Sequence, residues 1–163
     1  MKLNGVTVKI ERESVIPILA GDSTIYLIGK PIHSYEPFDE LVQRPTPRMG
    51  GEPGKERPLI EERAYREALT NYSKQFNDWI IISTLKEIAD KDGKRFPVEW
   101  DKVQVDDIET YSEWRNELLD NGFSEGDIRR IEMEVLRCNQ MDEQLIEAAK
   151  DHFLAMQKDP PPQ

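Results

Sequence analysis

An apolar stripe at helical spacing runs through residues 58–92 and constrains the fold more than any other feature of the chain. Its strongest members are Tyr65, Leu69, Tyr72, Phe76 and Trp79. Steps of 4, 3, 4 and 3 residues place these side chains on one face of an α-helix. The stripe continues to Leu85 and Ile88, Pro58 suits the first helical position, and Gly93 is placed to stop the helix. The pattern predicts one helix of roughly 50 Å, which must pack lengthwise on other elements or on another subunit.

Residues 5–32 predict a small antiparallel meander of two or three strands. The candidate strands are residues 6–10, 15–19 and 24–28, which are rich in β-branched side chains. Pro17 cannot donate to a ladder, so the second strand should lie at a sheet edge. Gly21 and Asp22 are typical of the turn that follows it. Because three strands alone are barely stable, this sheet must pack on a helix or on another subunit.

A segment rich in proline and glycine separates these two regions. Residues 44–54 hold three prolines and three glycines, which oppose a continuous helix and predict a flexible connection. The predicted divisions are an N-terminal β region at 1–43, a flexible linker at 44–57, a helical domain at 58–158 and a mobile tail at 159–163.

Three shorter helices are predicted after the long one. Asp106 or Asp107 can cap the first, and Asp142 can cap the last. Residues 124–127 have the spacing of a capping box, with Asp127 where Glu or Gln is favoured. Short connections make these helices neighbours. The fold class is therefore predicted as α+β and mostly α, in which the long helix and a three-helix C-terminal bundle follow the β meander.

The charge of the protein is concentrated in its C-terminal part. Residues 98–163 hold 7 Lys and Arg against 17 Asp and Glu, which leaves the whole formal net charge of −10 in this part. Nucleic acids are polyanions that need clustered basic residues, so this distribution argues against a nucleic-acid reader. An acidic half is compatible with a basic protein partner, with mimicry of nucleic acid, or simply with a solvated face.

The sequence offers no recognisable set of catalytic residues. Cys138 is the only cysteine, and its neighbours Val135 and Leu136 place it on the inner side of a predicted helix, where thiols are usually inert. His33 and His152 are distant from each other and from the cysteine, so no zinc site is expected. No calcium or phosphate-binding loop has the required spacing. We therefore expect no metal, no cofactor and no enzymatic activity.

The expected location is the cytoplasm. No apolar run approaches the roughly 20 residues that span a membrane, and the first residues lack an apolar core of signal-peptide length.

Three stretches together resemble a known family. They are residues 29–41, the helix that contains Tyr72 and residues 79–82, and residues 122–128 running on to 135–143. In their order and residue pattern they resemble the small proteins encoded among the tail genes of long-tailed bacteriophages and called tail assembly chaperones. The resemblance implies a non-enzymatic role in the host cytoplasm, in which the protein binds the long tape-measure protein and tail-tube subunits.

The predicted partner-binding residues are Tyr35, Phe38 and Leu41, which lie in a short aromatic stretch, together with Trp79 on the long helix. Binding to further copies of the same chain is a second expectation. Three alternatives stay open: a structural virion component such as a head–tail connector or tail protein, an acidic inhibitor of a host protein, and an enzyme built around Cys138 or His152.

Overall fold

The fold is α+β with helix as the larger share, as predicted. A computed structural model describes residues 1–8, 12–141 and 143–158; for Leu145 and residues 156–158 it describes the backbone only. The strands are β1 (Lys2–Leu3), β2 (Val6–Thr7), β3 (Ser14–Ala20), β4 (Ser23–Gly29), β5 (Met49–Gly50), β6 (Arg57–Pro58), β7 (Leu85–Ala89) and β8 (Arg95–Pro97). The helices are α1 (Glu36–Leu41), α2 (Arg63–Thr84), the 3₁₀ helix Ile108–Glu113, α3 (Trp114–Asp120), α4 (Glu125–Cys138) and α5 (Glu143–Lys158).

Strands β3 and β4 form the predicted hairpin. Ala20 pairs with Ser23 across a two-residue turn, and Gly21 adopts φ +63°, a conformation that glycine reaches without strain. The sheet order is β3-β4-β7-β8, so β3 is an edge strand, as Pro17 predicted. Its alternate residues Ile16 and Ile18 enter the core.

The predicted helix over residues 58–92 is wrong at both ends, and Pro58 lies in strand β6 instead of at the first helical position. Helix α2 begins at Arg63 and ends at Thr84, and the next five residues form strand β7, which pairs with β4. Leu85 pairs with Gly29 and Glu87 pairs with Ile28, so Lys86 is an extra residue that makes a β-bulge. The bulge lets Leu85 and Ile88 both face the core although they are three residues apart. That spacing of three had matched a helix.

Gly93 was predicted to end the long helix, but it lies in a turn between two strands. It adopts φ +79° in the turn between β7 and β8 and donates its backbone N–H to Asp90 O at 3.0 Å. The carboxylate of Asp90 accepts from the backbone N–H of Asp92 and of Lys94, both at 2.9 Å. This local network stabilises a hairpin, so the glycine does not end a helix here.

The first predicted strand does not join the main sheet. Among the described residues, strands β1 and β2 pair with each other and their side chains are exposed, which corrects the expectation of a half-buried strand for residues 6 and 7. Residues 9–11 lie outside the described part of the chain. Strand β4 pairs instead with β7, so one sheet holds segments from both the predicted β region and the predicted helical domain.

The segment predicted as a linker contains a short hairpin. Strands β5 and β6 pair through Met49 with Pro58 and through Gly50 with Arg57. Arg48 binds Glu62 just before α2 through its Nη2 at 2.5 Å and its Nε at 3.1 Å from the carboxylate. These contacts are exposed and local, and the predicted flexibility of residues 44–57 stays a prediction.

The C-terminal helices follow the predicted boundaries closely. The Asp107 side chain accepts from Glu109 N at the start of the 3₁₀ helix. Ser124 and Asp127 form the capping box of α4 with both reciprocal bonds present, so aspartate completes this motif here. The predicted cap Asp142 and tail 159–163 lie outside the described residues.

One core joins the sheet to helices α1 to α4, including Val103 and Tyr111 from the connections between them. Glu117 is buried within this framework at 5% exposure, and its carboxylate accepts from the backbone N–H of Asp101 and Lys102 at 2.7 and 2.9 Å. A buried carboxylate satisfied in this way holds the loop before the 3₁₀ helix against α3. Helix α5 lies outside this core, because every side chain that the structure describes in it is exposed, so the predicted packing of the last helix in a three-helix C-terminal bundle is wrong.

Candidate functional site

Helix α1 is a short helix that packs across α2. Glu36 and Asp39 lie in its first turn, where the helix dipole favours negative charge, and Pro37 suits a position that needs no intrahelical donor. The helix begins after Tyr35, whose backbone carbonyl accepts from Phe38 N at 3.0 Å. This geometry turns Phe38 into the core, where its side chain is fully buried.

Phe38 is the centre of an aromatic cluster with three rings of α2. Its ring centroid lies 5.3 Å from that of Tyr72, 5.0 Å from Phe76 and 5.6 Å from Trp79. Tyr35 meets Phe76 edge-on at 5.3 Å, with an interplanar angle of 81°. Aromatic pairs of this kind contribute about 0.5–1.5 kcal/mol each beyond simple burial, so the cluster is an aromatic platform that stabilises the packing of α1 on α2.

The structure gathers three of the four predicted binding residues into this cluster. Phe38 and Trp79 are 0% and 5% exposed, so they support the surface from below and cannot themselves make broad contact with a partner. Tyr35 and Leu41 are each 41% exposed, at the start and at the end of α1. A partner would therefore touch Tyr35 and Leu41, and its binding stays a prediction.

The sequence had placed Tyr72 and Phe76 in the core stripe without connecting them to this site. Both are partly buried against the core, and both contact Phe38. The steps of four residues from Tyr72 to Phe76 and three from Phe76 to Trp79 were the available signal. What the spacing could not show is that α1 lies across that part of the stripe.

The rim of this surface is acidic. Glu36, Asp39 and Glu40 are exposed on α1 beside Tyr35 and Leu41. An apolar centre with a charged rim is the usual anatomy of a protein interface. The sign of the rim favours a partner that carries Lys or Arg around an apolar anchor.

The edge of strand β3 is poorly suited to accept a partner strand. Pro17 has no backbone N–H to donate, and its carbonyl already accepts from Arg130 Nη1 at 3.3 Å. Ser14 Oγ donates to Glu134 Oε2 at 3.2 Å, which is a second link from this edge to α4. A partner strand added along β3 would meet neither a backbone donor nor a free carbonyl acceptor at Pro17, the centre of this edge.

The candidate catalytic residues are not brought together. Cys138 is buried at 5% exposure, and burial raises the pKa of its thiol, which opposes thiolate formation at neutral pH. His33 and His152 are exposed. Two apolar pockets of about 260 and 160 Å³ have neither Cys138 nor His152 in their walls. Within residues 1–8, 12–141 and 143–158, no group of three His, Cys, Asp or Glu side chains is arranged to hold a metal ion.

In the described ranges, no helix has the length and apolar character needed to cross a membrane. The fold and its site define an α+β protein with an aromatic platform under a half-exposed, acid-rimmed surface. No protein-family model, curated protein sequence or solved structure matches the chain. The resemblance to tail assembly chaperones therefore stays a prediction drawn from the sequence.

Proposed function

We propose that this protein is a non-enzymatic assembly factor that binds other proteins in the cytoplasm. The observation that carries the proposal is that Tyr35 and Leu41 are half-exposed at the two ends of α1, a helix that Phe38 anchors on the aromatic rings of α2. Binding energy at interfaces concentrates in a few aromatic and aliphatic anchors set on well-packed supports. A preformed platform also lowers the entropy that must be lost on binding, because its side chains are already ordered.

The partner that suits this surface is a basic amphipathic helix. Its apolar face would cover Tyr35 and Leu41, and its Lys or Arg residues would meet Glu36, Asp39 and Glu40. A helical partner fits better than an added strand, because Pro17 and Arg130 obstruct the edge of β3. The negative charge of the C-terminal part would speed the encounter with such a partner.

The resemblance to tail assembly chaperones points to a tape-measure protein as the partner that carries this helix. A long helical tape-measure protein presents many amphipathic segments, and tail-tube subunits would be recruited beside it. We propose that the protein acts on these components in the host cytoplasm and leaves before the particle is finished. A structural virion component would use the same surface but would remain in the particle.

The test uses the full tagged chain, co-expressed with the products of its neighbouring genes, and captured proteins are read by mass spectrometry. Leu41→Asp places a carboxylate at the half-exposed apolar end of α1. Val105→Asp is the matched control, since Val105 is 73% exposed and lies in the loop before the 3₁₀ helix, outside α1. We expect Leu41→Asp to abolish capture of a tape-measure-like or tail-tube protein, and Val105→Asp to retain it.

Tyr35→Ala provides an independent variant on the same surface, with thermal unfolding as the check that the cluster remains folded. Capture should also weaken as salt is raised, because an acidic rim acts through screened charges. Equal capture by wild type and Leu41→Asp would refute the proposed surface. Stoichiometric recovery of the protein from purified particles would replace the chaperone role with a structural one.

A further inference from the structure

The sequence contains two Asn-Gly pairs, Asn4-Gly5 and Asn121-Gly122. The backbone nitrogen of the glycine in such a pair can attack the side-chain amide carbon of the asparagine, because glycine has no Cβ to crowd the attacking atom. For this attack the asparagine side chain must turn back onto the chain, and the glycine N–H must be free to lose its proton. The structure places the two pairs in opposite surroundings with respect to both requirements.

Asn4 and Gly5 form the turn between β1 and β2, and neither reacting group is held there. Their φ angles of +50° and +82° are those of a type I′ turn, across which Leu3 pairs with Val6. The Asn4 side chain is exposed. Among the described residues, neither the Asn4 amide nor the Gly5 N–H takes part in a hydrogen bond. A Cβ added at Gly5 would meet no atom within 4 Å, so the turn is open to water.

The β1–β2 hairpin can open at little cost. Each strand has two residues, every side chain in residues 1–8 is exposed, and a single two-stranded hairpin is at best marginally stable in water. Opening of the hairpin lets the Asn4 side chain reach the Gly5 nitrogen. The folded state therefore gives this pair little protection.

Both reacting groups of the second pair are held at the end of α3. The side-chain amide of Asn121 donates to Glu117 O at 2.8 Å, so it is turned toward the helix and away from the glycine. Gly122 adopts φ +88° and donates its backbone N–H to Leu119 O at 3.0 Å. This bond belongs to a Schellman motif, which must break before the nitrogen can react.

We propose that Asn4-Gly5 is a site of spontaneous deamidation and that Asn121-Gly122 is protected from the same reaction. The Gly5 nitrogen forms a bond to Cγ of Asn4 and gives up its proton to solvent. The Cγ–Nδ2 bond breaks, and ammonia leaves with a proton taken from solvent. The cyclic imide then takes up one water molecule. Opening between Cγ and the nitrogen gives aspartate, and opening between the Asn4 carbonyl carbon and the nitrogen gives isoaspartate.

Both products add one negative charge at residue 4, but they affect the hairpin differently. Aspartate before glycine still suits a type I′ turn. Isoaspartate carries the chain through its side chain, which adds a carbon atom to the backbone of a two-residue turn. The turn sets the register of the hairpin, so this product disrupts the pairing of Leu3 with Val6. The four-stranded sheet is unaffected, because β1 and β2 are not part of it.

The experiment incubates the purified full chain at mildly alkaline pH and follows both pairs by mass spectrometry of peptides. Digestion in acid stops the reaction, and each converted peptide is heavier by the difference between water and ammonia. We expect Asn4 to convert at least about tenfold faster than Asn121, because the hairpin opens far more often than the end of α3. The same measurement in urea is the control. There the two rates should agree within about threefold, since the unfolded chain no longer protects Asn121.

Gly5→Ala tests whether ring closure is the route. Conversion at Asn4 should fall by at least about tenfold in this variant, because the added Cβ crowds the attacking nitrogen. Equal rates at Asn4 and Asn121 in the folded protein would overturn the proposal, and so would a Gly5→Ala chain that converts as fast as wild type. A difference between the two pairs that persists unchanged in urea would also overturn it, since the neighbouring residues and not the fold would then be the cause.

Discussion

The side-chain amide of Asn139 donates to Thr84 Oγ1 at 2.8 Å, and this bond ties the end of α4 to the point where α2 becomes β7. The same amide donates to Val135 O at 2.9 Å, and its oxygen accepts from Ile32 N at 2.8 Å. Thr84 is fully buried, so its hydroxyl depends on this partner. One asparagine thus satisfies polar groups from three separate segments.

Replacing Asn139 with alanine should lower the free energy of unfolding by about 1–3 kcal/mol, because polar groups of Thr84 and Ile32 lose their partner inside the protein. Urea unfolding measures the change. Asn116→Ala is the control, since Asn116 is exposed and its one side-chain bond is to the neighbouring Glu113. A loss for Asn139→Ala no larger than that of the control would contradict the anchoring role.

Gln140→Gly should raise the free energy of unfolding by up to about 1 kcal/mol, because glycine adopts φ +58° without the steric cost that a side chain brings. Gln140→Ala separates the effect of backbone strain from that of the side-chain hydrogen bond. It keeps the strain and removes only the bond from Gln140 Nε2 to Arg137 O. Alanine should therefore give no gain. Equal effects of glycine and alanine would show that the backbone conformation is not the cause.

Asp78→Asn should change how stability depends on pH. Desolvation raises the pKa of Asp78, while the hydrogen bond from Trp114 Nε1 at 2.8 Å and the charge of Lys74 lower it by less. The folded state thus binds this proton more tightly than the unfolded state does. Stability from the group is fully present below the unfolded pKa of about 3.9 and is lost as pH rises through the folded pKa.

Asparagine can still accept from Trp114 but does not titrate. Relative to wild type, Asp78→Asn should gain stability as pH rises above about 4, should level off above the folded pKa of Asp78, and should show no such trend below about pH 4. Thermal unfolding from pH 3 to 7 measures the difference. Ser73→Ala on the exposed face of α2 removes no titratable group and is the control, for which we expect a flat difference. A flat profile for Asp78→Asn would mean that the carboxylate is not desolvated.

Ser124→Ala should destabilise the protein by about 1 kcal/mol at neutral pH, because Ser124 Oγ accepts from Asp127 N at 3.2 Å and caps α4. Ser124 also donates its backbone N–H and its hydroxyl to the Asp127 carboxylate, and these bonds lower the pKa of Asp127. That stability is present above the unfolded pKa of about 3.9 and is lost as pH falls through the folded pKa.

The difference in the free energy of unfolding between wild type and Ser124→Ala should therefore become smaller in acid. This is the reverse of the pH trend expected for Asp78→Asn. Ser73→Ala on the exposed face of α2 should change stability by less than about 0.5 kcal/mol at any pH. A Ser124→Ala penalty that is constant from pH 3 to 7 would show that the carboxylate contributes nothing to this cap.

Elements whose conformation depends on neighbouring residues were predictable from the sequence. The turn at Gly21 and Asp22, the edge position of Pro17 and the capping box of Ser124 and Asp127 each depend on residues a few positions apart. The place of Trp79 in the aromatic cluster was partly predictable in the same way, because the stripe on α2 already contained it. That α1 lies across the stripe depends on packing between distant segments, which residue spacing does not encode.

The sequence alone determined the β3–β4 hairpin, the apolar face of α2 and the start of α4, because turn chemistry, helical period and capping act within one or two turns of chain. Only the tertiary structure decided that residues 85–89 form a strand. Their spacing of apolar residues suits a helix or a bulged strand equally well. Pairing with the exposed backbone of β4, and burial of Leu85 and Ile88 in the shared core, favour the strand.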